Sequence, residues 1–347
     1  ATSQKHRGYD IPGMPAQWEA IVSVFVHDPQ VTHHLIKNAL DQGAQGLYLN
    51  AEAPFDCAQI FDHIDLSQVR IYFKATFFDP SFFNTLADFI KKAKGSLHLN
   101  ADPLYGLAHD GVWKANCNAD YKALGDLITQ LGPDAWVMAV HMDLYQNAGA
   151  TMTQQLAYGL AHLSESIHWL NASGLKLKKY NTTFVVSLGT NYFFEMAKLR
   201  ATRLLVKSLG KALNCNISCH ILAVPSKRYS TIYDFNNNLL RHTTELMSGI
   251  LGGANGLCNL PYDELYKKSN AFSQRLSRNQ LLILQRESFQ DLNKDMGQGA
   301  YYIESLTADL AEKSLALFKE IEASGGFLKQ LKSGSIQKKI RESHAKA

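Results

Sequence analysis

The sequence predicts an α/β fold, a (β/α)8 TIM barrel with an extra C-terminal helix. Eight short apolar runs follow one another along the chain, and longer stretches with helical periodicity separate most of them. The runs are almost continuously apolar, which is typical of parallel strands buried on both faces. No hairpin signal joins consecutive runs, so eight such units favour closure into a barrel.

The apolar runs are the predicted strands, and the periodic stretches are the predicted helices. The strands span residues 18–26, 46–50, 69–74, 96–100, 135–141, 182–191, 218–226 and 256–263. The helices span residues 31–40, 57–64, 80–92, 153–170, 193–213, 235–251 and 277–287. Pro80 and Ser81 open the third helix, which carries Phe82, Leu86 and Ile90 on one face.

A doubly wound open sheet is the alternative to a barrel. Such sheets usually have fewer strands, and no G-x-G-x-x-G motif follows any of the apolar runs. The chain has 347 residues, of which 46% are hydrophobic, so it is long enough for one large α/β domain or two ordinary ones. The ordered units favour a single barrel.

We divide the chain into three parts. Residues 1–17 are an N-terminal extension, and residues 18–327 form the barrel with a final helical pattern at 302–323. This last helix is expected to pack outside the barrel. Residues 328–347 are rich in Lys, Ser and Gln, so we interpret them as a solvated, charged tail or a truncated linker.

Composition excludes several classes of partner. The formal net charge is only +4 and no basic stripe occurs, so no nucleic-acid partner is expected. No apolar run reaches eighteen residues and no signal-like segment is present, which predicts a cytoplasmic protein without a membrane partner. The five cysteines are an odd number, which argues against a disulfide framework. Cys215 and Cys219 have no second ligand pair, so no metal site is predicted.

Sites in such barrels lie at the C-terminal ends of the strands. Polar residues at predicted strand ends are Asn50, Asn100, His141, Asn191, Ser226, Tyr262 and Asp263. Asparagine at a strand end is also a common turn residue, so these positions are weak indicators. Our candidate barrel-mouth residues are His141, Tyr145, Gln146 and Asn191. No nucleophile elbow, Walker A loop or H-E-x-x-H motif is present.

Three long stretches carry a family resemblance. They are FFEMAKLRATRLL (193–205), DFNNNLLRHTTELMSGILGGANGLCNLPYDE (234–264), and SRNQLLILQRESF followed by GAYYIESLTADLAEKSLALFKEIEASGGF, which ends at Phe327. Together they resemble the adenosylcobalamin-dependent acyl-CoA mutases, the methylmalonyl-CoA mutase family. The resemblance is strong from Trp136 to Phe327 and weak before that. It implies a (β/α)8 barrel that binds a CoA thioester along its axis, in agreement with the fold that the pattern predicts.

The segment after the fifth strand departs from the family's catalytic subunits. Those subunits resemble G-Y-H-M-Q-E-A-G-A, in which the histidine hydrogen-bonds the thioester carbonyl. Here the segment is M-D-L-Y-Q-N-A-G-A, residues 142–150. Alignment on the shared A-G-A places Leu144 at the histidine position, and leucine cannot donate a hydrogen bond. We therefore predict no catalytic residue in this chain, since His141 lies three positions upstream.

Two further segments of the family have no counterpart. The N-terminal ATSQKHRGYDIPGMP does not match the aromatic and basic segment that contacts CoA in catalytic subunits. No histidine has an aspartate two residues before it, so the cobalt-ligand motif D-x-H-x-x-G is missing and the cobalamin-binding domain is expected to be absent. The resemblance implies that this chain binds no cofactor and that adenosylcobalamin resides in a partner large subunit.

The resemblance predicts a non-catalytic small subunit of a heterodimeric adenosylcobalamin-dependent methylmalonyl-CoA mutase. The catalytic large subunit would interconvert methylmalonyl-CoA and succinyl-CoA, and this chain would be an inactive part of that isomerase. In that case side chains, including Leu144 and Tyr145, should fill the barrel axis. One alternative is the barrel subunit of a divergent acyl-CoA mutase with a separate cobalamin subunit, in which His141 replaces the lost histidine. Another is a regulatory module that binds a CoA thioester.

Overall fold

Eight parallel strands close into a barrel in their order along the chain, as predicted. The computed structural model describes residues 10–267, 270–292 and 294–345. The strands are β1 Glu19–Val26, β2 Gly46–Ala51, β3 Arg70–Ala75, β4 Ser96–Ala101, β5 Trp136–His141, β6 Lys179–Leu188, β7 Asn216–Pro225 and β8 Gly256–Cys258. Pairing between β8 and β1 closes the ring.

Helices follow every strand and surround the barrel. They are α1 Pro29–Asp41, α2 Cys57–Ile60, α3 Pro80–Lys92, α4 Pro103–Asp110, α5 Cys117–Leu131, α6 Asp143–Ala148, α7 Met152–Ala172, α8 Tyr192–Ala212, α9 Asn237–Leu251, α10 Ala271–Arg286, α11 Tyr301–Ala323, α12 Phe327–Lys332 and α13 Ser335–His344. A short 3-10 turn, Lys227–Tyr229, lies between β7 and α9. In the part of the chain that is described, no helix has the length and apolar character needed to cross a membrane.

Three helices begin with the same local signal, an aspartate followed by proline. The carboxylates of Asp28, Asp79 and Asp102 accept hydrogen bonds from backbone N–H groups in the first turns of α1, α3 and α4. Proline fits the first helical position because its missing N–H would be unpaired there in any case. The Asp-Pro pairs therefore set where these three helices begin.

The apolar core has two parts. Most of it lies between the sheet and the surrounding helices. A smaller cluster lies inside the barrel and consists of Ile21, Tyr48, Tyr72, Val185, Leu222 and Cys258. All six residues come from strands, because alternate strand residues point to the barrel interior.

Three strand boundaries differ from the prediction by three residues or more. β6 starts at Lys179 rather than at residue 182 and ends at Leu188 rather than at residue 191, and β8 ends at Cys258 rather than at residue 263. Beyond β8 the side chain of Asn259 donates to the carbonyl of Ser277 on α10, and Pro261 offers no N–H for a ladder. The chain therefore leaves the sheet earlier than its apolar pattern suggests.

The segment after residue 327 is not the solvated tail that we expected. Residues up to 345 form α12 and α13, and Leu328, Leu331, Ile336 and Ile340 are buried. These residues recur at helical spacing, while Lys and Ser occupy the outer face, and composition alone does not reveal that pattern. Phe327 is fully buried, and its ring stacks on His162 of α7 at a centroid distance of 5.4 Å.

The buried side chain of Arg203, on α8, joins the chain before β1 to the N-terminal face of the barrel. Its guanidinium donates to the carbonyl oxygens of Gly13 at 2.7 Å, Cys219 at 2.8 Å and Gly253 at 2.7 Å, and to the amide oxygen of Asn255 at 2.6 Å. Four acceptors therefore surround one buried cation.

Part of the predicted N-terminal extension packs against this face. Ile11 and Met14 are buried, and Trp18 donates its indole N–H to the carbonyl of Gln290. The remainder of the extension, residues 1–9, lies outside the described residues. The boundaries at residues 17 and 327 remain predictions.

Candidate functional site

A cavity of about 1090 Å³ opens at the C-terminal ends of the strands, the face where barrel sites form. We call it the mouth cavity. Its polar lining includes Ser23, Asn50, Lys74, Asp143, Asn147 and Ser187. The Asn50 amide donates to Ser23 at 3.1 Å, and the Asn147 amide donates to Ser187 at 3.2 Å. Hydrogen bonds between neighbouring elements therefore organise the polar lining.

Lys74 and Asp143 are charged residues of this cavity that lie on the β3–β5 side. Lys74 donates to the hydroxyl of Tyr105 at 3.1 Å, and its ammonium lies 4.2 Å from the ring centroid. Burial acts to raise the pKa of Asp143, but His141 at 3.1 Å and the nearby Lys74 hold that pKa below its usual value. Asp143 is therefore a carboxylate at neutral pH, and a cation lies beside it.

His141 lies just behind this group and does not line the mouth cavity. Its side chain is buried, and its ring lies between the Asp143 carboxylate and the Tyr105 ring, with ring centroids 4.6 Å apart. The backbone N–H of His141 donates to the carboxylate of Asp102. The imidazole is therefore held in place by protein groups.

Tyr145 points away from the barrel axis. Its hydroxyl lies 2.8 Å from Nδ1 of His162, and Nε2 of His162 lies 2.8 Å from the carboxylate of Asp102. Leu144, at the position aligned with the family histidine, is half-buried and packs against the outer core. Neither residue fills the barrel interior, contrary to our expectation.

The other two candidate residues lie elsewhere. Gln146 is buried and accepts a hydrogen bond from Lys198 at 2.6 Å. Asn191 is exposed at the start of α8, and its side chain makes no capping hydrogen bond. The structure therefore does not bring His141, Tyr145, Gln146 and Asn191 together into one site.

Sequence reasoning missed Lys74, Asp143 and Asn147 as mouth residues. Lys74 is the last residue of a predicted strand that is otherwise largely apolar. A charged residue at that position is the signal that could have indicated a residue of the barrel mouth. Asp143 and Asn147 lie on α6, and no sequence pattern indicates which face of so short a helix meets the cavity. Of the strand-end residues, Asn50 does line the cavity.

A cluster of rings occupies the barrel interior below the mouth cavity, and we call it the axial ring cluster: Tyr72, His98 and His220. The hydroxyl of Tyr72 lies 2.6 Å from Nε2 of His220, and the two histidine rings have centroids 4.4 Å apart. His98 also lies 2.7 Å from the hydroxyl of Thr183. All three cluster residues are buried.

A second cavity, of about 910 Å³, lies at the opposite end and is lined by Trp136, Arg203 and His220 among others. Tyr72 contacts Tyr48 of the mouth cavity on one side and His220 of the second cavity on the other. The axial ring cluster therefore occupies the interior between the two cavities.

Acid should destabilise the protein through this cluster. Burial lowers the pKa of His98 and His220 well below the usual value, and Arg70 lowers both further. Below about pH 6.5 the unfolded chain binds protons that the folded chain cannot, so stability falls as pH falls. We expect the free energy of unfolding, from urea titrations, to drop by about 2 kcal/mol between pH 7.5 and pH 5.5.

The control for this prediction is the His220→Gln variant, whose amide can still hydrogen-bond Tyr72. It should lose less stability over the same pH interval, because one of the two buried imidazoles is gone. An identical pH dependence in the variant and the parent protein would contradict the assignment to His220.

A buried polar network lies between α6, α7, α8 and β6. The ammonium of Lys198 lies 2.5 Å from Glu195 and donates to Gln146 at 2.6 Å, Gln155 at 3.1 Å and the carbonyl of Ser187 at 2.7 Å. Both side chains of the ion pair are inaccessible to solvent. Ser187 also lines the mouth cavity, so the network supports one wall of that cavity.

Glu245, on α9, lies beside this network without a hydrogen bond to its carboxyl oxygens from the described residues. Burial, reinforced by the nearby Glu195, raises the pKa of Glu245 to about 9. The carboxyl group is therefore protonated in the folded protein at neutral pH and ionised in the unfolded chain.

Replacing Glu245 by glutamine should stabilise the protein at alkaline pH. Between about pH 4.5 and pH 9 the folded state keeps a proton that the unfolded state loses, so this glutamate lowers stability as pH rises. The Glu245→Gln variant should exceed the parent by at least about 2 kcal/mol at pH 8, and by far less at pH 4.5, in urea unfolding. A pH-independent difference would contradict the raised pKa.

The mouth cavity contains one imidazole, and no described protein group orients it. Its lining includes His27, whose ring has no hydrogen-bonding partner in the described ranges. A metal-bound imidazole ordinarily has its second nitrogen held by a carboxylate, carbonyl or water. Over the residues described, no group of three or more His, Cys, Asp or Glu side chains could hold a metal ion. Among the described residues, the mouth cavity therefore lacks an imidazole that the protein orients toward a metal ion.

Sequence comparison identifies the proteins to which this chain is similar. The sequence model for methylmalonyl-CoA mutase matches residues 37–347. The methylmalonyl-CoA mutase small subunit of Porphyromonas gingivalis is 37% identical over 217 residues, which cover 60% of this chain and 35% of that protein. The methylmalonyl-CoA mutase of Cereibacter sphaeroides is 37% identical over 211 residues, which cover 58% and 29%.

The chain is also similar to a protein that is named as a large subunit. The methylmalonyl-CoA mutase large subunit of Porphyromonas gingivalis is 32% identical over 210 residues, which cover 58% of this chain and 29% of that protein. The chain thus matches about a third of the length of these curated relatives. The family match extends over most of the chain and agrees with the closed barrel. This chain therefore belongs to the methylmalonyl-CoA mutase family.

Proposed function

We propose that this chain is the non-catalytic small subunit of a heterodimeric adenosylcobalamin-dependent methylmalonyl-CoA mutase. The observation that carries the proposal is Leu144, at the position of the histidine that binds the thioester carbonyl in catalytic subunits. A leucine side chain has no hydrogen-bond donor, so it cannot stabilise charge on that oxygen. The large subunit would interconvert methylmalonyl-CoA and succinyl-CoA.

The surroundings of His141 support the same proposal. To replace the missing histidine, its imidazole would have to reach into the mouth cavity. Instead it is buried between Asp143 and Tyr105, outside the cavity lining. This placement disfavours the alternative of a divergent mutase in which His141 is catalytic.

The axial ring cluster is a second, independent support. A CoA thioester that runs along the barrel axis needs an open channel between the two faces. In this chain Tyr72, His98 and His220 occupy that interior. These residues come from β3, β4 and β7, so the filling arises from strands rather than from Leu144 and Tyr145.

The proposed partner is the catalytic large subunit, which would carry the adenosylcobalamin. Relatives named as small subunit and as large subunit occur together in Porphyromonas gingivalis.

Turnover measurements test the proposal. The isolated chain, supplied with adenosylcobalamin and methylmalonyl-CoA, should form no succinyl-CoA, whereas the complex with the large subunit encoded in the same genome should be active. Succinyl-CoA formation by the isolated chain would overturn the proposal. The His141→Ala variant of this chain should leave turnover of the complex unchanged, and a loss of turnover would favour the divergent mutase.

The open mouth cavity favours a second candidate, a regulatory module that binds a CoA thioester. Its volume of about 1090 Å³ and its charged residues Lys74 and Lys227 would accommodate part of such a molecule. Calorimetric titration of the isolated chain with methylmalonyl-CoA distinguishes the two candidates. Stoichiometric binding, without any association with a large subunit, would favour the regulatory module.

A further inference from the structure

Six large apolar side chains are exposed on α8, on α11 and on the connection between α10 and α11, outside the lining of both cavities. We call this region the flank patch: Phe193, Phe289, Leu292, Met296, Tyr301 and Tyr302. Each of these side chains is between 36% and 71% exposed. They come from the first turns of α8 and α11 and from the connection between α10 and α11. The rings of Phe193 and Tyr302 are in edge contact, with centroids 5.5 Å apart.

A buried ionic cluster fixes the framework under the flank patch. The guanidinium of Arg200, on α8, is inaccessible to solvent and binds Asp295 of the connection and Glu304 of α11, the latter at 2.8 Å. Met296 is next to Asp295 in the connection, and Tyr302 is in the first turn of α11, close to Glu304. The Arg200 side chain therefore fixes the positions of α8, α11 and the connection relative to one another. The patch is therefore presented on a rigid surface, which reduces the entropic cost of binding.

Phe289 provides a second observation. Its backbone has a φ of 52°, a left-handed conformation that is strained for a bulky aromatic residue. Hydrogen bonds hold the neighbouring Gln290 on both sides, from the indole of Trp18 to its carbonyl and from its N–H to Leu284. Strained backbone that the surrounding structure enforces tends to occur at functional positions. Here the strain points an aromatic ring into solvent.

The area of the flank patch matches one side of a protein interface. At ~200 Å² for a large side chain, the exposed fractions amount to roughly 700 Å² of largely apolar surface. The largest apolar patch on a typical monomer covers about 300–600 Å². A stable interface buries about 800 Å² on each partner. The exposed area of the patch is thus larger than the apolar patch of a typical monomer and close to one side of a stable interface.

We propose that the flank patch is the docking surface for the methylmalonyl-CoA mutase large subunit. This inference rests on the proposed function, and it adds where on this chain the partner binds. The occupant is a second, longer chain of the same family, because relatives named small subunit and large subunit occur in one organism. Phe193 and Tyr302 are the central contacts, and buried aromatic residues carry most of the affinity in protein interfaces.

The test is a binding measurement with the large subunit encoded in the same genome. The double variant Phe193→Asp/Tyr302→Asp should bind it at least about 100-fold more weakly than the parent chain. Both positions lie in first turns of helices, where aspartate is favourable, so the variant should melt at the parent temperature. The control, Tyr233→Asp/Leu240→Asp, changes one aromatic and one aliphatic residue that are even more exposed, on α9 and the segment before it. It should bind within about threefold of the parent.

A third variant, Phe289→Gly, removes one ring and also relieves the strained backbone. It should weaken binding while the melting temperature stays the same or rises.

If the parent chain binds the large subunit and the double variant binds equally well, the docking surface is wrong but the proposed function stands. If the parent chain does not bind the large subunit, the heterodimer itself is wrong. If the patch variants instead abolish a homodimer of this chain, the patch binds a second copy and the proposal fails.

Discussion

Replacing Arg203 by alanine is expected to lower the free energy of unfolding by about 4 kcal/mol, one of the two largest effects we predict. The guanidinium supplies hydrogen bonds to Gly13, Cys219, Gly253 and Asn255, all between 2.6 and 2.8 Å. Truncation removes the donor from four acceptors, of which the Gly253 carbonyl is in a fully buried contact, and adds a cavity. The segment before β1 would also lose its link to the barrel. Urea unfolding, followed by circular dichroism, measures the loss.

Two further variants make the Arg203 prediction specific. Arg203→Lys keeps the charge but offers three donors from one atom, so we expect a loss of about 2 kcal/mol. Lys207→Ala, one turn further along α8 and exposed, should change stability by less than about 0.5 kcal/mol. A loss below about 1 kcal/mol for Arg203→Ala would show that the guanidinium is not an essential link.

Replacing Lys198 by methionine is expected to cost a similar amount, about 4 kcal/mol, for a different reason. Methionine is of similar length but carries no charge, so the buried carboxylate of Glu195 loses its partner at 2.5 Å. Gln146, Gln155 and the carbonyl of Ser187 lose a donor as well. An uncompensated buried charge is far costlier than the absence of both charges.

A double-mutant cycle tests this explanation. Glu195→Gln in the Lys198→Met background removes the stranded charge, so the double variant should recover about 2 kcal/mol relative to the sum of the single losses. Lys211→Met, exposed near the end of the same helix, is the matched control and should be nearly neutral. Additive losses in the double variant would mean that packing, rather than the ion pair, explains the instability.

The barrel could be predicted because its strands are buried on both faces and therefore appear as apolar runs. The largest error in a predicted strand start is at β6. The strand begins at Lys179, but the polar Lys179 and Asn181 interrupt the apolar pattern, so the predicted start is too late. The C-terminal helices were missed for the opposite reason. Their apolar residues are sparse, and the many lysines of 328–347 conceal the helical spacing.

The candidate site was harder to predict, because its residues depend on how helices rotate above the strands. Tyr145 looked like a residue of the barrel mouth, but Asp102 and His162 hold its hydroxyl in the layer between α6 and α7. Lys74 and Asp143 face each other across elements that are distant in sequence, and no local pattern places them together. Such pairings follow from closure of the barrel rather than from any segment of it.

The axial ring cluster limits how a molecule can enter and leave the barrel interior. Tyr72 and the two histidines lie across the interior, so among the described residues they separate the mouth cavity from the second cavity. A molecule in the mouth cavity that cannot pass these rings must leave at the C-terminal face, so its residence time depends on whatever covers that face. A ligand longer than the pocket is deep would keep one end outside, within reach of a neighbouring chain.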